Sequence, residues 1–287
     1  MPELPEVETI ARSLRNPVDL PFENSVSIQT RPGIVGRVVS SVELLWNRSL
    51  VTPSFEELGS TLSGKAVSSV GRRGKYLVIQ VEPFWMFIHL RMSGDIRVEP
   101  FRLDGGEKHD RLVIRFIDGV QFVFNDPRKF GRVWLVQDPA EVTGSLGDEP
   151  FSDLLTGESF HQMLHASSQR IKPFLLDQKR VAGLGNIYTD EALFLAGLHP
   201  LTPGSAITEL QAESLLRSIR FVLEDGIRRN GASIDWVYRG GDFQNYFRVY
   251  QRTGEPCSVC GTKIQRIVVG QRGTHFCPQC QPLIQKL

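Results

Sequence analysis

The chain has 287 residues, of which 41% are hydrophobic and 23% are charged, so it is long enough to build two domains with real hydrophobic cores. No apolar stretch approaches the length of a membrane span, and the N-terminus carries glutamates where a signal peptide would carry an apolar segment, so we expect a cytoplasmic protein without membrane attachment. The net charge of +1 does not by itself indicate a nucleic-acid partner.

The distribution of charge is more informative than its total. Residues 217–287 hold 11 Lys and Arg against 5 Asp and Glu, a net charge of +6, whereas residues 1–216 carry 22 against 27, a net charge of −5. A basic C-terminal part is the electrostatic signature of a phosphate-binding surface, although a solvated basic face would have the same composition.

The first half of the chain predicts one helix followed by many short strands. Apolar residues recur at helical spacing from Val7 to Leu14, and Asn16-Pro17 ends the pattern, so residues 5–15 are expected to dock on a core. Asp118-Gly119 is a strong signal for a two-residue hairpin turn. The predicted strands are residues 26–30, 37–45, 65–70, 76–81, 84–90, 111–117, 120–125 and 133–136. Short strands with turn residues between them favour an antiparallel β-sandwich or barrel.

The second half predicts helices and a small C-terminal module. Predicted helical segments are residues 152–155, 159–166, 171–176, 189–196 and 208–229. We therefore expect an α+β multidomain chain: an N-terminal β-sandwich over 1–136, a linker over 137–150, a helical domain over 151–248, and a small module over 249–287.

The N-terminus itself carries candidate chemistry. The side chain of Pro2 is small, so we expect Met1 to be removed, which leaves a secondary amine at the chain end. An α-amine titrates near pH 8, so roughly a tenth is neutral at pH 7, and a neutral secondary amine can attack carbon and form a cationic iminium. Glu3 is then a general acid and base, and Glu6 a neighbour that orients or tunes the pair. An unanchored terminus with Pro5 at a helix start is the alternative.

All four cysteines lie in the C-terminal module. Cys257, Cys260, Cys277 and Cys280 have the spacing C-x2-C-x16-C-x2-C, in which two knuckles joined by a β-hairpin can present four thiolates to one zinc ion. A closed shell of four thiolates makes the zinc structural. Two disulfides or redox pairs are the alternatives, and both are disfavoured in a reducing compartment and without a thioredoxin-like βαβ context.

The run PELPEVET over residues 2–9 resembles the start of bacterial formamidopyrimidine-DNA glycosylases (Fpg, also called MutM), in the family shared with endonuclease VIII. The endonuclease VIII branch usually has Gly-Pro where this chain has Leu4-Pro5. The resemblance spans nearly the whole chain and implies an N-terminal β-sandwich with flanking helices, a helix-two-turn-helix domain and a β-hairpin zinc finger. It also implies a Schiff-base mechanism on Pro2.

Further motifs of the N-terminal domain match the resembling family, and each match implies a role. Lys75, in Gly-Lys-Tyr-Leu, matches the catalytic-site lysine that binds the phosphate beside the lesion and assists the reaction as a proton donor. His89 and Met92 match the H-L-x-M-S-G turn, in which the histidine contacts DNA and the methionine fills the space of the departed base. Arg128 and Phe130 match the residues that bond the orphaned partner base and wedge the stack; Lys129 stands where the family usually has arginine.

The same resemblance assigns DNA contacts in the C-terminal half. Asn186, in Ala-Gly-Leu-Gly-Asn-Ile-Tyr, matches a phosphate-binding asparagine at a helix start, and Lys172 matches a residue with a structural or phosphate-binding role. Arg272 is expected in the tip of the zinc-finger hairpin (residues 270–273), binding phosphate near the lesion and acting as a proton donor in δ-elimination. A mobile loop over about 231–247 would close over the extruded base.

The resemblance implies a monomeric DNA glycosylase and AP lyase. It would remove 8-oxoguanine and formamidopyrimidines from duplex DNA and cleave the resulting abasic site by β,δ-elimination, with one structural zinc. Two alternatives stay open: a preference for oxidised pyrimidines as in endonuclease VIII, or a non-catalytic protein that binds damaged DNA.

Overall fold

A computed structural model describes residues 1–15, 33–102, 106–233 and 240–283. The chain divides into two compact units, one formed by Met1–Ser145 with Asn230–Gly241 and the other by Leu146–Arg229 with Asp242–Leu287. Within the described ranges, no helix combines the length and the apolar character needed to cross a bilayer. The expected α+β class is confirmed: the first unit is rich in strands and the second in helices.

The first unit is built on a sandwich of two sheets. Its strands are β1 (Val39–Leu44), β2 (Leu50–Thr52), β3 (Ser69–Arg73), β4 (Tyr76–Val81), β5 (Phe84–His89), β6 (Asp95–Pro100), β7 (Asp110–Phe116), β8 (Val120–Asn125) and β9 (Arg132–Val136). One sheet has the order β1-β7-β8-β6 and the other β2-β9-β5-β4-β3, and every pair is antiparallel except β2 with β9. Inward side chains of both sheets form one apolar core, as the alternating burial along β4 illustrates.

In the described part of the first unit, three α-helices accompany the sandwich. Helix α1 (Leu4–Arg15) buries its apolar stripe from Val7 to Leu14 in the core and packs against β3 and β4. Helix α2 (Phe55–Leu62) starts with a capping box between Ser54 and Glu57 and packs against β1. Helix α3 (Ala140–Thr143) is a single turn near the end of the unit.

The second unit contains the longer helices and a hairpin. Its helices are α4 (Gly157–His165), α5 (Ile171–Leu176), α6 (Asn186–Leu195) and α7 (Glu209–Arg228). Helix α6 is buried on nearly all sides because α5, α7 and the hairpin all pack against it. Strands β10 (Gln265–Val269) and β11 (Arg272–Phe276) form that hairpin, and the two residues of its turn, Gly270 and Gln271, have φ values of +55° and +61°.

Several predicted elements differ from the structure. Residues 152–155 form turns, not a helix, and the strand predicted at 65–70 begins only at Ser69. Helix α2 and strand β6 were not predicted, and the segment 137–150, predicted as a linker, contains α3. The strand predicted at 26–30 falls outside the described residues. The predicted domain boundaries stay predictions.

Candidate active site and metal centre

One end of the sandwich gathers the predicted catalytic and base-replacing residues of the first unit. Strand pairing places Arg73 opposite Tyr76, Tyr76 opposite His89, and His89 opposite Arg132. The turn that holds Lys75, the turn after β5 and the loop before β9 therefore lie side by side. In the other sheet, Asp95 pairs with Asn125, so the chain segments that enter β6 and leave β8 reach the same end.

The N-terminus is anchored at this end. Arg72, at the end of β3, donates from Nε to Glu8 of α1 at 3.1 Å, which sets the first turns of the helix beside the turn that holds Lys75. Pro2, Glu3 and Glu6 are buried. Chain anchoring and burial of this kind favour the functional interpretation of the terminus over the frayed one.

Glu6 joins the N-terminus to a second segment of the same unit. Its carboxylate accepts a hydrogen bond from the backbone nitrogen of Glu3 at 2.8 Å and from that of Ala232 at 2.7 Å. A Cβ at Gly231, where φ is +79°, would lie 2.7 Å from the same carboxylate, so only glycine fits there. Glu6 therefore positions the catalytic candidate Glu3 and the first residues of the predicted mobile loop.

Lys75 and His89 are buried polar residues at this end of the sandwich. Lys75 is buried in the turn between β3 and β4, following Gly74. Burial, together with the positive charges of Arg91 and Lys75, lowers the pKa of His89 from 6.5 to about 3. The Nδ1 atom of His89 accepts from the backbone nitrogen of Arg91 at 3.0 Å, which places the ring proton of this neutral imidazole on Nε2. His89 is thus set up to donate one hydrogen bond.

The three predicted base-replacing side chains project from two turns. Met92 lies on the turn of residues 91–94, here called the Met92 turn, and is 45% exposed, as expected for a residue that inserts into DNA rather than filling a core. Arg128 and Phe130 lie on the segment 127–131, here called the Arg128 loop. Phe130 is 48% exposed, and the guanidinium carbon of Arg128 lies 5.1 Å from the centre of its ring.

Lys129, the departure from the usual family motif, points elsewhere. It has a φ of +62°, and its ammonium lies 3.9 Å from the ring centre of Trp46. This cation–π contact anchors the middle of the Arg128 loop on the sandwich and leaves its neighbours Arg128 and Phe130 exposed.

In the second unit, Lys172 is completely buried in an ion pair. Its ammonium donates to Oδ1 of Asp190 at 2.6 Å and to the carbonyl of Gly273 at 3.1 Å. The other Asp190 oxygen accepts from the backbone nitrogen of His275 at 2.9 Å. Of the two roles expected for Lys172, this burial favours the structural one: the pair ties α5 and α6 to strand β11.

Asn186 is the first residue of α6, as predicted, but its amide also serves the hairpin. Its Nδ2 atom donates to the carbonyl of Gly273 at 3.0 Å. Two glycines shape the chain that leads into α6. Gly183 has a φ of +99°, and Gly185 is the N-cap of the helix. Gly273 is thus held by both Lys172 and Asn186.

Arg272 is exposed and lies next to the carbonyl that these residues hold. It was expected within the hairpin tip, but the turn consists of Gly270 and Gln271 alone, and Arg272 opens β11 opposite Val269. The centre of the observed turn, Gly270-Gln271, thus lies one residue before the centre of the turn predicted at residues 270–273. Its side chain still projects from the exposed end of the hairpin.

The four cysteines form one cluster whose geometry fits zinc. All four sulfur atoms lie within 4.8 Å of one another, with Cys257 and Cys280 3.8 Å apart and Cys260 and Cys277 3.5 Å apart. Tetrahedral ligands about 2.3 Å from zinc are about 3.8 Å apart, whereas disulfide sulfurs are about 2.05 Å apart. Backbone nitrogens of Val259 and Cys280 donate to the sulfurs of Cys257 and Cys277, each at 3.4 Å. These residues would hold one structural zinc ion.

Family models cover most of the chain. The formamidopyrimidine-DNA glycosylase N-terminal domain matches residues 1–133, the H2TH domain of these glycosylases matches 146–237, and a zinc finger found in FPG and IleRS matches 254–283. The formamidopyrimidine-DNA glycosylase of Chloroflexus aggregans is 42% identical over 99% of this chain and all of its own length. This chain belongs to the formamidopyrimidine-DNA glycosylase family.

Solved structures of Fpg agree with this membership. A Lactococcus lactis Fpg variant in complex with DNA containing Fapy-dG is 39% identical, with a TM-score of 0.86 over 98% of this chain and 100% of its own. L. lactis Fpg bound non-covalently to DNA with an AP site is 40% identical, with a TM-score of 0.85 and coverage of 98% and 99%. A MutM complex with DNA containing carbocyclic 8-oxo-G is 39% identical, with a TM-score of 0.85 and coverage of 98% and 100%. The resemblance seen in the sequence and the three-part α+β fold are confirmed.

Sequence reasoning missed the side chains that hold the site together. Asp126, two residues before Arg128, is buried and bonds both the Met92 turn and the Arg128 loop. Asp190 forms the buried pair with Lys172. The predicted loop is described only at its ends. Ser233 and Gly241 exchange hydrogen bonds of 2.8 and 3.0 Å through the serine hydroxyl. Trp236 and Tyr238, whose rings would be able to stack on a base, lie outside the described residues.

Proposed function

We infer that this chain is a bifunctional DNA glycosylase and AP lyase of base excision repair that removes oxidised purines from duplex DNA. Family membership over nearly the full length supports the reaction class, and the relatives solved with Fapy-dG, 8-oxo-G and abasic DNA support the substrate class. The observation that carries the proposal is the anchored Pro2-Glu3 terminus beside a buried lysine, at the sandwich end that also projects the base-replacing residues.

The first chemical step is base release. After removal of Met1, the neutral amine of Pro2 attacks C1′ of the deoxyribose, and the bond from C1′ to the base nitrogen breaks as the damaged base leaves with its electron pair and takes up the proton that the attacking amine loses. Glu3 protonates the sugar ring oxygen, the ring opens, and a cationic iminium joins Pro2 to C1′. Glu6 holds the backbone nitrogen of Glu3 and so positions this general acid.

The iminium then drives strand cleavage. It withdraws electrons and acidifies the C2′ proton, so removal of that proton expels the 3′ phosphate by β-elimination. A second elimination expels the 5′ phosphate, and hydrolysis of the iminium releases the amine. We assign binding of the phosphate beside the lesion and proton transfer to Lys75, and proton donation in δ-elimination to Arg272.

Extrusion of the base has to precede this chemistry. Met92 and Phe130 fill the space that the base leaves, Arg128 bonds the orphaned partner base, and His89, Asn186 and Arg272 contact the DNA backbone. The four cysteines would hold one zinc ion, which would shape the hairpin that presents Arg272. Four thiolates would leave no open coordination position, so the role of the ion would be structural. We further propose that the protein acts as a monomer in the cytoplasm, where chromosomal DNA is its substrate.

The alternatives make different predictions. A preference for oxidised pyrimidines would appear as faster incision of thymine-glycol duplex than of 8-oxoguanine duplex when both are compared side by side. A non-catalytic DNA-binding protein would bind both duplexes and cleave neither, and mass analysis of its N-terminus would find Met1 retained.

A covalent trap tests the nucleophile. Borohydride added during the reaction with 8-oxoguanine duplex should reduce the iminium, and peptide mapping should place the DNA adduct on Pro2. Pro2→Gly should slow excision strongly, whereas Lys75→Met should retain the adduct on Pro2 because Lys75 is not the nucleophile. An adduct on a lysine, or incision by Pro2→Gly at the full rate, would refute the assignment.

A further inference from the structure

A single buried carboxylate connects the two turns that carry the base-replacing residues. Asp126 follows β8 and is 0% exposed. Its Oδ1 atom accepts a hydrogen bond from the hydroxyl of Ser93, which directly follows Met92, and another from the backbone nitrogen of Arg128 at 3.1 Å. Its Oδ2 atom accepts from the backbone nitrogen of Gly131 at 2.7 Å. One side chain thus bonds the Met92 turn and both ends of the Arg128 loop.

The serine hydroxyl completes this connection. Besides donating to Asp126, Ser93 accepts a hydrogen bond from the backbone nitrogen of Arg128 at 3.3 Å. The backbone of Asp126 is also held in place: its nitrogen donates to the carbonyl of His109 at 2.9 Å, and its carbonyl accepts from Nε of the buried Arg111 at 2.8 Å. The carboxylate therefore cannot shift without breaking several bonds at once.

The two turns also share one apolar support. A Cβ at Gly94, in the Met92 turn, would lie 2.9 Å from the ring of Phe124, and a Cβ at Gly131, at the end of the Arg128 loop, would lie 2.2 Å from the same ring. Both turns thus pack their backbones directly on Phe124, closer than any side chain would allow. Polar and apolar contacts together restrict both turns and join them into one packed unit.

Rigidity matters here because of what the proposed function asks of these turns. Met92, Arg128 and Phe130 are exposed, and they would have to replace the stacking and pairing of an extruded base. If their backbones were mobile, ordering them on insertion would cost conformational entropy at each residue. A preorganised wedge avoids that cost.

We propose that Asp126 and Ser93 are positioning residues for base extrusion, which fix the Met92 turn and the Arg128 loop as one wedge. This inference rests on the proposed glycosylase function. Neither residue touches the reacting atoms in this scheme: both act through Met92, Arg128 and Phe130, so their loss should slow insertion of the wedge and leave the elimination chemistry intact.

The test separates extrusion from chemistry in the full-length protein. Wild type and Ser93→Ala are compared in single turnover on 8-oxoguanine duplex and on abasic duplex, which has no base to extrude, and 2-aminopurine next to the lesion reports wedge insertion. We expect insertion and 8-oxoguanine excision to slow about ten-fold in the variant, the equivalent of about 1.4 kcal/mol, and abasic cleavage to stay within about two-fold of wild type.

Two further variants make the result specific. Ser40→Ala removes an exposed hydroxyl that bonds the carbonyl of Arg115, and it should change neither rate. In a Met92→Ala/Phe130→Ala background, Ser93→Ala should have no further effect on insertion. Should Ser93→Ala fail to fold, Ser93→Cys, which keeps the shape and weakens the hydrogen bond, takes its place.

The outcomes are distinct. Equal slowing on both duplexes, an unchanged insertion rate, or the same effect of Ser93→Ala in the background without the wedge would each overturn the positioning role. Failure of the wild type to excise 8-oxoguanine would instead refute the proposed function.

Discussion

The buried imidazole of His89 should make the fold sensitive to acid in a defined pH range. In the folded chain, burial and the neighbouring charges of Arg91 and Lys75 lower its pKa to about 3, while in the unfolded chain it titrates near 6.5. Below pH 6.5 the unfolded state binds a proton that the folded state does not bind. The free energy of unfolding therefore falls as pH decreases from about 6.5 to about 3 and is unaffected by this group above about pH 7.

The size of the effect follows from the two pKa values. At pH 5 the unfolded imidazole is almost fully protonated and the folded one is neutral, which corresponds to a loss of about 2 kcal/mol relative to neutral pH. Many carboxylates also titrate towards acid, so the wild type alone does not isolate this contribution. His89→Gln keeps an acceptor for the backbone nitrogen of Arg91 and cannot be protonated.

Urea unfolding of both proteins at pH 7.5 and pH 5 measures the effect. The wild type should lose about 2 kcal/mol more than His89→Gln between the two values, and the difference at pH 7.5 removes any effect of the substitution that does not depend on pH. In parallel, NMR of the ring should show neutral His89 with its proton on Nε2 at pH 5. Equal losses in the two proteins, or a ring that titrates near pH 6.5, would refute the reasoning.

Three further predictions concern packing, the buried ion pair and the metal. Gly131→Ala would place a Cβ 2.2 Å from Phe124 and should lower the free energy of unfolding by about 1–3 kcal/mol. Gly59→Ala lies in an open position of α2 and should raise that free energy by about 0.5–1 kcal/mol. Equal effects of the two substitutions in denaturant unfolding would contradict the packing of Gly131 on Phe124. Lys172→Met leaves Asp190 buried without its cation and should lower the free energy of unfolding by about 3–5 kcal/mol. Adding Asp190→Asn to this variant should recover part of that loss. Thermal unfolding of both variants decides whether the two charges are coupled. Removal of zinc with a chelator should release one equivalent of metal and should weaken duplex binding, which fluorescence anisotropy measures. An unchanged affinity for duplex would show that the hairpin does not contribute to DNA contact.

Local patterns predicted much of the fold because the strands are short and end at clear turns. Strands β4 and β8 were predicted to the residue, since a short run of mostly apolar residues between turn residues marks both of them. Helix α2 was missed although Ser54 and Glu57 form its capping box, because Gly59 weakens the helical pattern.

The false helix at residues 152–155 has a tertiary cause. The guanidinium of Arg220 donates to the carbonyls of Pro150, Ser152 and Leu155 at 2.7, 3.3 and 2.8 Å, and so binds acceptors that a helix would use internally. A four-residue segment has too few internal hydrogen bonds to offset the cost of helix nucleation. The contact joins residues about 65 to 70 positions apart, so no local pattern signals it.

The candidate site likewise contains residues that local motifs predict and residues that they do not predict. Residues that would meet DNA stand in short motifs and were predicted from them. Other residues hold these in place, and they pair with residues far along the chain: Asp126 with Ser93 over 33 positions, and Lys172 with Asp190 over 18. The residues next to a side chain in sequence do not show that it is buried among distant elements.

The contact between Lys129 and Trp46 gives the molecule an optical reporter that needs no label. An ammonium 3.9 Å from the ring centre perturbs the excited state of an indole, so the emission of Trp46 should respond when DNA reaches the Arg128 loop. Stopped-flow recording of tryptophan emission during DNA binding, with Trp46→Phe to identify the source of the signal, would then time the arrival of DNA at this loop in the native protein.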